Sequence, residues 1–269
     1  MTPSLEWEQI MKKALLVGIN DYPKQLSTLM GCINDVQNMH DLLTSLFGFK
    51  TEDIRILTES DATALNILKA LEMLVHGAGP GDQLIFHFSG HGSQAPDGSG
   101  DEKDFLDEIL CPYDLDWREN VVRDDDLSRI FETVPPGVHV EVFLDCCHSG
   151  TGMRSLDGGY RKQRFLAVPA DVVQACRAIK SRKPIKPSRA QVLWAACRSN
   201  QYAADAVLNG RYGGAFTTML CNSIKAFGPK VSRYDLLRGI RAGLRGSGFK
   251  QVPQLEADTR LKRKPFLKL

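Results

Sequence analysis

One feature ties this chain to a narrow set of architectures: short apolar runs of strand length alternate with helical periodicity. The runs "KKALLVGI" (12–19), "DIRILTE" (53–59), "DQLIFHFSGHG" (82–92) and "HVEVFLDCC" (139–147) are each too short for a helix. Between them, Cys32, Val36, Met39, Leu43 and Leu46 recur at three- and four-residue steps up to Gly48. "ALNILKALEMLVHG" does the same, and "DDLSRIFETV" is stopped by Pro135-Pro136. Strand–helix order of this kind predicts an α/β domain with a mostly parallel sheet covered on both faces. Ligands of such sheets bind beyond the carboxyl ends of the strands, where "SGHG" and "CCHSG" fall.

Residues 151–189 break the alternation. They hold ten Lys and Arg against two Asp, whereas residues 97–126 hold twelve Asp and Glu against three Lys and Arg. The basic stretch reads as a flexible connector between a first part (1–150) and a second (190–269). The second part resumes with "AQVLWAAC" as a strand, "GAFTTMLCNSIKAF" and "SRYDLLRGIRAGLR" as helices, and "QVPQLEA" as a short strand. A net charge of +2 over 269 residues makes no case for a nucleic-acid partner, and no apolar run is long enough to span a membrane. "MTPSLEWEQI" does not read as a secretory signal. Seven cysteines, an odd number without CxxC spacing, predict a reduced, cytoplasmic protein.

Side chains alternate across a strand, so Asp145 and Cys147 share one face while Cys146 points the other way. Ser89 and His91 share a face at the end of their own strand. Neighbouring strands then present Ser-x-His beside Asp-x-Cys. A cysteine nucleophile needs an imidazole partner to reach the thiolate at neutral pH, and His91 across the sheet is better aimed than the adjacent His148. Gly92 and the turn after Cys147 leave backbone N–H groups bare enough to approach an oxyanion.

At these residues the chain resembles the metacaspases and their bacterial caspase-like relatives, the orthocaspases. The matching blocks run in order: "ALLVGINDYP", "GCINDV", "FHFSGHGSQ", "DEILCPYD", "DDDL", "LDCCHSG", "GAFT" and "QVPQL". The resemblance implies a caspase-like fold with a six-stranded, mostly parallel sheet. It implies His91 and Cys147 as catalytic dyad, and the N–H groups of Gly92 and Cys147 as oxyanion hole. It further implies Asp35, Ser89 and Asp145 as a primary pocket for Arg or Lys. The chemistry agrees, since a carboxylate pair selects a cation and disfavours cleavage after Asp. The expected activity is a cysteine endopeptidase acting on proteins or peptides through an acyl-enzyme, as a monomer and with no cofactor required for chemistry.

Some family members are activated by calcium. Asp107, Asp124 and Asp125 match that site, but Arg154 stands where a fourth carboxylate belongs and Asp157 only nearby. The basic connector offers the pocket its own substrates: Arg182 and Arg189 are the first candidates for self-cleavage, with Arg161, Lys162 and Arg164 behind them.

Plainer readings compete at each position. Cys147 alone would be a small buried residue, as Cys146, Cys32, Cys176, Cys197 and Cys221 are expected to be. His87 reads as a packed strand residue. A silent scaffold binding partners through the same groove is the rival from another class. A Cys146–Cys147 redox pair is a third reading and leaves Asp35 and Ser89 unexplained.

Overall fold

The computed structural model describes residues 10–23, 27–96, 106–147, 161–172 and 191–267. His148, Arg154, Asp157, Cys176, Arg182 and Arg189 lie outside the described residues. The first part runs β1 (Lys12–Gly18), α1 (Cys32–Phe47), β2 (Ile54–Thr58), α2 (Ala64–Val75), β3 (Gln83–Ser89), β4 (Gly92–Pro96), β5 (Leu106–Leu110), β6 (Val122–Arg123), α3 (Asp124–Glu132) and β7 (His139–Asp145). Then follow β8 (Arg161–Gln163), β9 (Gln191–Ala195), β10 (Ala204–Leu208), β11 (Arg211–Gly214), α4 (Ala215–Phe227), α5 (Arg233–Gly246), β12 (Gln254–Glu256) and α6 (Thr259–Lys262).

The main sheet has six strands in the order β12-β9-β7-β3-β1-β2. Its pairings are parallel except the edge pair β12–β9. The strand alternation sorts apolar side chains into two cores. Leu15, Val17, Phe86, Phe88, Val142 and Leu144 pack under α2 and α3. Leu16, Ile85, Phe143 and Trp194 pack under α1, α4 and α5. No described helix is long and apolar enough to cross a membrane.

Helix ends follow local chemistry. Gly48 closes α1 with φ +67°, a conformation few other residues adopt. Thr63 Oγ1 accepts from the Asn66 N–H at the start of α2, and Ser232 caps α5 in the same way. Glu141 on β7 is a charged residue fully buried in the second core. It accepts from Arg233 Nε at 2.6 Å and from Trp194 Nε1 at 2.7 Å. Burial lifts the Glu141 carboxyl to about 7, with Arg233 opposing the rise. The same guanidinium donates to the carbonyls of Leu261 and Phe266, tying the last residues to the sheet.

Two small sheets add to the expected elements. β4-β5-β6 extends the site end of β3, and β11-β10-β8 lies beside the end of β7. The reading of 151–189 as a single connector therefore changes at its centre. Residues 161–163 form β8 because they pair antiparallel with β10, Ala204 opposite Gln163 and Ala206 opposite Arg161. Nothing in the local pattern "RKQ" favours a strand; the pairing is supplied by residues some forty positions away.

Candidate active site

Parallel register sets β3 and β7 side by side, with Ser89 opposite Asp145. Beyond these ends the chain carries His91 and Cys147, both buried. His91 Nε2 lies 2.6 Å from the carbonyl oxygen of Ser27. A carbonyl can only accept, so Nε2 carries the proton and Nδ1 keeps its lone pair. Nδ1 is buried and has no hydrogen-bond partner. The Tyr22 hydroxyl accepts from the His91 backbone N–H at 2.9 Å, and its ring packs 4.9 Å from the imidazole. Burial is the main reason the imidazole is held down at about 4, against the pull of Ser27.

Cys147 Sγ accepts from the Ala203 N–H at 2.6 Å and lies 3.7 Å from the Ala203 carbonyl. Its backbone N–H points elsewhere. Together with the Gly92 N–H it converges on one oxygen, the carbonyl of Arg164, at 3.1 Å and 3.0 Å. A Cβ on Gly92 would fall 2.1 Å from the Cys147 carbonyl, so only glycine fits this approach.

The Arg164 side chain is fully buried among the acids. Nη2 donates to Asp35 Oδ2 at 2.7 Å and to Asp205 Oδ1 at 3.1 Å. Nη1 donates to Ser89 Oγ at 2.8 Å, with Asp145 Oδ1 at 3.3 Å. Three carboxylates thus surround one guanidinium. Desolvation, opposed by Arg164, lifts the Asp35 carboxyl to about 6. The start of α4 supports the acids from behind. Gly214 N–H donates to both Asp35 oxygens, and Thr217 donates through N–H and Oγ1 to Asp145 Oδ2. A Cβ at Gly214 would lie 2.2 Å from Asp145 Oδ2, which explains the glycine of "GAFT".

The main chain around Arg164 continues this fit. Its N–H donates to the Ala203 carbonyl at 3.1 Å. On the other side Leu166 N–H donates to the Gly92 carbonyl at 2.9 Å, and Ser93 Oγ donates to the Leu166 carbonyl at 2.7 Å. The chain therefore crosses the strand ends from 161 to 166, bending at Arg164, with the Arg164–Phe165 bond at the two N–H groups.

The structure brings Asp35, Ser89, His91, Gly92, Asp145 and Cys147 together. Sequence reasoning missed Asp205, Ser27 and Thr217, and ranked Arg164 behind residues outside the described set. Asp205 had a legible signal, since "ADAVLNGRYGG" is hairpin-like around Asn209-Gly210. Ser27 had none.

The acids matched to calcium lie apart from this centre. Asp107 is buried against Arg123, Nε to Oδ2 at 2.9 Å. Asp124 is raised to about 7 by desolvation and by Asp125, Glu108 and Asp107. Among the described residues no group of three His, Cys, Asp or Glu side chains is arranged to hold a metal ion. His87 lies inside the core with Nε2 3.1 Å from Thr217 Oγ1, away from solvent. None of the six described cysteines is joined in a disulfide.

A parallel sheet that brings histidine and cysteine to adjoining strand ends defines the class, the caspase-like α/β fold. Caspase-1 from Spodoptera frugiperda shares that fold with a TM-score of 0.61 at 16% identity, over 92% of this chain and 86% of its own. Protein GSU0716 from Geobacter sulfurreducens matches with a TM-score of 0.71 and 26% identity, covering 96% of this chain and 99% of its own. Within that class the chain belongs to the metacaspases: residues 12–156 match the family described as metacaspase, peptidase C14 domain. Metacaspase-1 of Cryptococcus neoformans is 35% identical over 91% of this chain and 62% of its own length. Metacaspase-1 of Ajellomyces capsulatus is 35% identical over 91% of this chain and 79% of its own. The chain spans about three fifths of the first of these relatives.

Proposed function

We propose that this chain is a cysteine endopeptidase cleaving after arginine, with lysine second, and that its first substrate is its own Arg164–Phe165 bond. The observation that carries the reading is the pose of residue 164. Its cation fills an acidic pocket while its carbonyl accepts two backbone N–H bonds beside Cys147. A carbonyl so held is polarised, and the same two donors stabilise the oxyanion that follows attack.

In the reaction His91 Nδ1 takes the Cys147 proton and Sγ bonds to the Arg164 carbonyl carbon. The oxyanion rests on the N–H groups of Gly92 and Cys147. Collapse breaks the C–N bond, and His91 returns the proton to the departing Phe165 amine. A water then hydrolyses the thioester with His91 as base, freeing Cys147 and a carboxylate at Arg164. Asp205 favours arginine over lysine, because three carboxylates on two sides suit a planar fork better than a single ammonium. Calcium stimulation through Asp107, Asp124 and Asp125 belongs to the same proposal as a separate question.

The test is mass spectrometry of the purified chain with calcium or chelator, beside Cys147→Ala and Cys146→Ala. The expected result is a fragment starting at Phe165 from wild type and Cys146→Ala, and an intact Cys147→Ala chain. Cleavage only after Arg182 or Arg189 would overturn the assignment of Arg164. A folded chain that stays whole in every lane would favour the scaffold reading, with a sealed groove. One observation leans that way: Cys147 Sγ is bonded to Ala203 and not to His91.

A further inference from the structure

We infer that the groove carries a second cation subsite, four residues before the cut bond, built from Phe249 and the carbonyls that end α5. It takes an arginine of a basic peptide. The inference rests on the peptidase reading above, because it treats residues 161–164 as a substrate caught in register.

The register is regular. β8 lies antiparallel to β10 as an added strand, so the side chains at 161 and 163 lie on the face opposite that at 162, and Arg164 follows at the bend after the strand. At the far end the Arg161 guanidinium sits over the Phe249 ring, 4.3 Å from its centroid. Its Nη1 donates to the Gly248 carbonyl at 3.0 Å and Nη2 approaches the Ser247 carbonyl at 3.4 Å. Beside it opens a cavity of about 370 Å³, lined by Ala206, Leu208, Ser247 and Phe249 among others.

The site is made by the way α5 ends. Gly248 turns with φ +74°, and Phe249 N–H closes back on the Leu244 carbonyl at 2.9 Å. That turn leaves the Ser247 and Gly248 carbonyls facing the groove. It also seats the Phe249 ring, only 7% exposed, beneath the cation. A helix C-terminus carries partial negative charge, and an aromatic face adds to the attraction. Two donors above a flat ring are guanidinium chemistry, which a lysine ammonium reproduces only in part. Between the two cation subsites, Lys162 Nζ donates to the Thr28 carbonyl at 2.6 Å from an exposed position. The substrate class is therefore a basic segment with arginine at the first and fourth positions before the cut.

Fluorogenic tetrapeptides Arg-Lys-Gln-Arg, Lys-Lys-Gln-Arg and Ala-Lys-Gln-Arg test this directly. They would be run on the full chain after self-processing, with the Arg164→Ala chain in parallel, whose own pocket is empty. The expected kcat/KM is about tenfold higher for the Arg peptide than for the Ala peptide, with Lys between, as a half-buried cation–π contact supports. The difference should lie in KM, and Phe249→Leu should bring the ratio close to one. The ratio within one enzyme preparation is insensitive to loss of folded protein. Should Phe249→Leu fail to fold, the wild-type peptide pair decides alone. Hydrolysis of all three peptides at equal rates would overturn the subsite and leave the peptidase reading standing. No hydrolysis of any peptide would remove both.

Discussion

Removing the Arg164 side chain tests the feature on which the reading of the site depends. Substituting Arg164→Ala in a Cys147→Ala background, so that no cleavage intervenes, takes one cation from Asp35, Asp205 and Asp145. All three carboxylates are buried, and the remaining local donors are Ser89, the Met30 and Gly214 N–H groups and Thr217. Breaking a buried ion pair from one side typically costs about 3–5 kcal/mol, with the lower end expected where water enters the vacated pocket. For a chain of this size each kcal/mol moves Tm by roughly 2–4 °C, so the loss should be about 6–20 °C at pH 8. The pH dependence gives the sign. Asp35 titrates near 6 even when paired, above its ordinary value of 3.8, so its ionisation already opposes folding as pH rises between those values. Without Arg164 the Asp35 carboxyl rises further, and the penalty continues to grow toward pH 8. The Tm gap between the two chains should therefore be small at pH 5 and largest at pH 8. Benzamidine, which carries a planar amidinium, should recover part of it at pH 8. Scanning calorimetry at the two pH values reads all three effects. Equal Tm values at both, with no response to benzamidine, would refute the placement of Arg164 among the acids.

Two further perturbations separate neighbouring roles. Asp205→Asn keeps an acceptor for the Met30 N–H but removes the charge facing Nη2. It should lower kcat/KM on Arg-ending peptides about ten- to hundredfold, the value of one charge-assisted hydrogen bond, and on Lys-ending peptides by less. An equal loss on both would remove Asp205 from arginine selection. His87 is held at about 3 by burial, against 6.5 unfolded, so the unfolded chain binds the extra proton between those values. The stability tied to its neutral form is complete above 6.5 and falls by about 2 kcal/mol by pH 5. His87→Gln should flatten the slope of Tm between pH 7 and pH 5, and an unchanged slope would show that His87 does not titrate this way.

The parallel core of the fold was legible because its strands are nearly continuous apolar runs with helical spacing between them. β1, β2, β3, β7 and β9 and their helices follow from that pattern alone. The small sheets did not, for differing reasons. The β10–β11 hairpin carries a readable turn, since Asn209 and Gly210 both have positive φ (53° and 79°), but its strands mix polar and apolar residues without alternation. β8 is three polar residues, and only its partner strand and the buried Arg164 make it a strand. At the site, strand alternation places Ser89 with His91 and Asp145 with Cys147, whereas Asp35 joins them only through the family resemblance. Asp205 and Ser27 reach the site from segments whose approach is set by tertiary packing. Glu141 and Arg233 meet across 92 residues, and neither carries a local sign of its partner.

On the proposed reading, cleavage by itself does not empty the pocket. Arg164 lies seventeen residues beyond Cys147, so after the cut it stays within about 60 Å of the nucleophile even if the chain between is fully extended. A tethered group within that reach has an effective concentration in the millimolar range, and an outside substrate must compete with it. Two changes at the cut bond weaken the tethered competitor. Leu166, held by Gly92 and Ser93, now belongs to a different fragment and no longer anchors residue 164. The new carboxylate at Arg164 also replaces the neutral carbonyl held by the Gly92 and Cys147 N–H groups, adding negative charge to a site whose three acids already share one cation. The pocket that draws the arginine side chain in thus repels the product's new end, and release of residues 161–164 becomes the step that opens the groove.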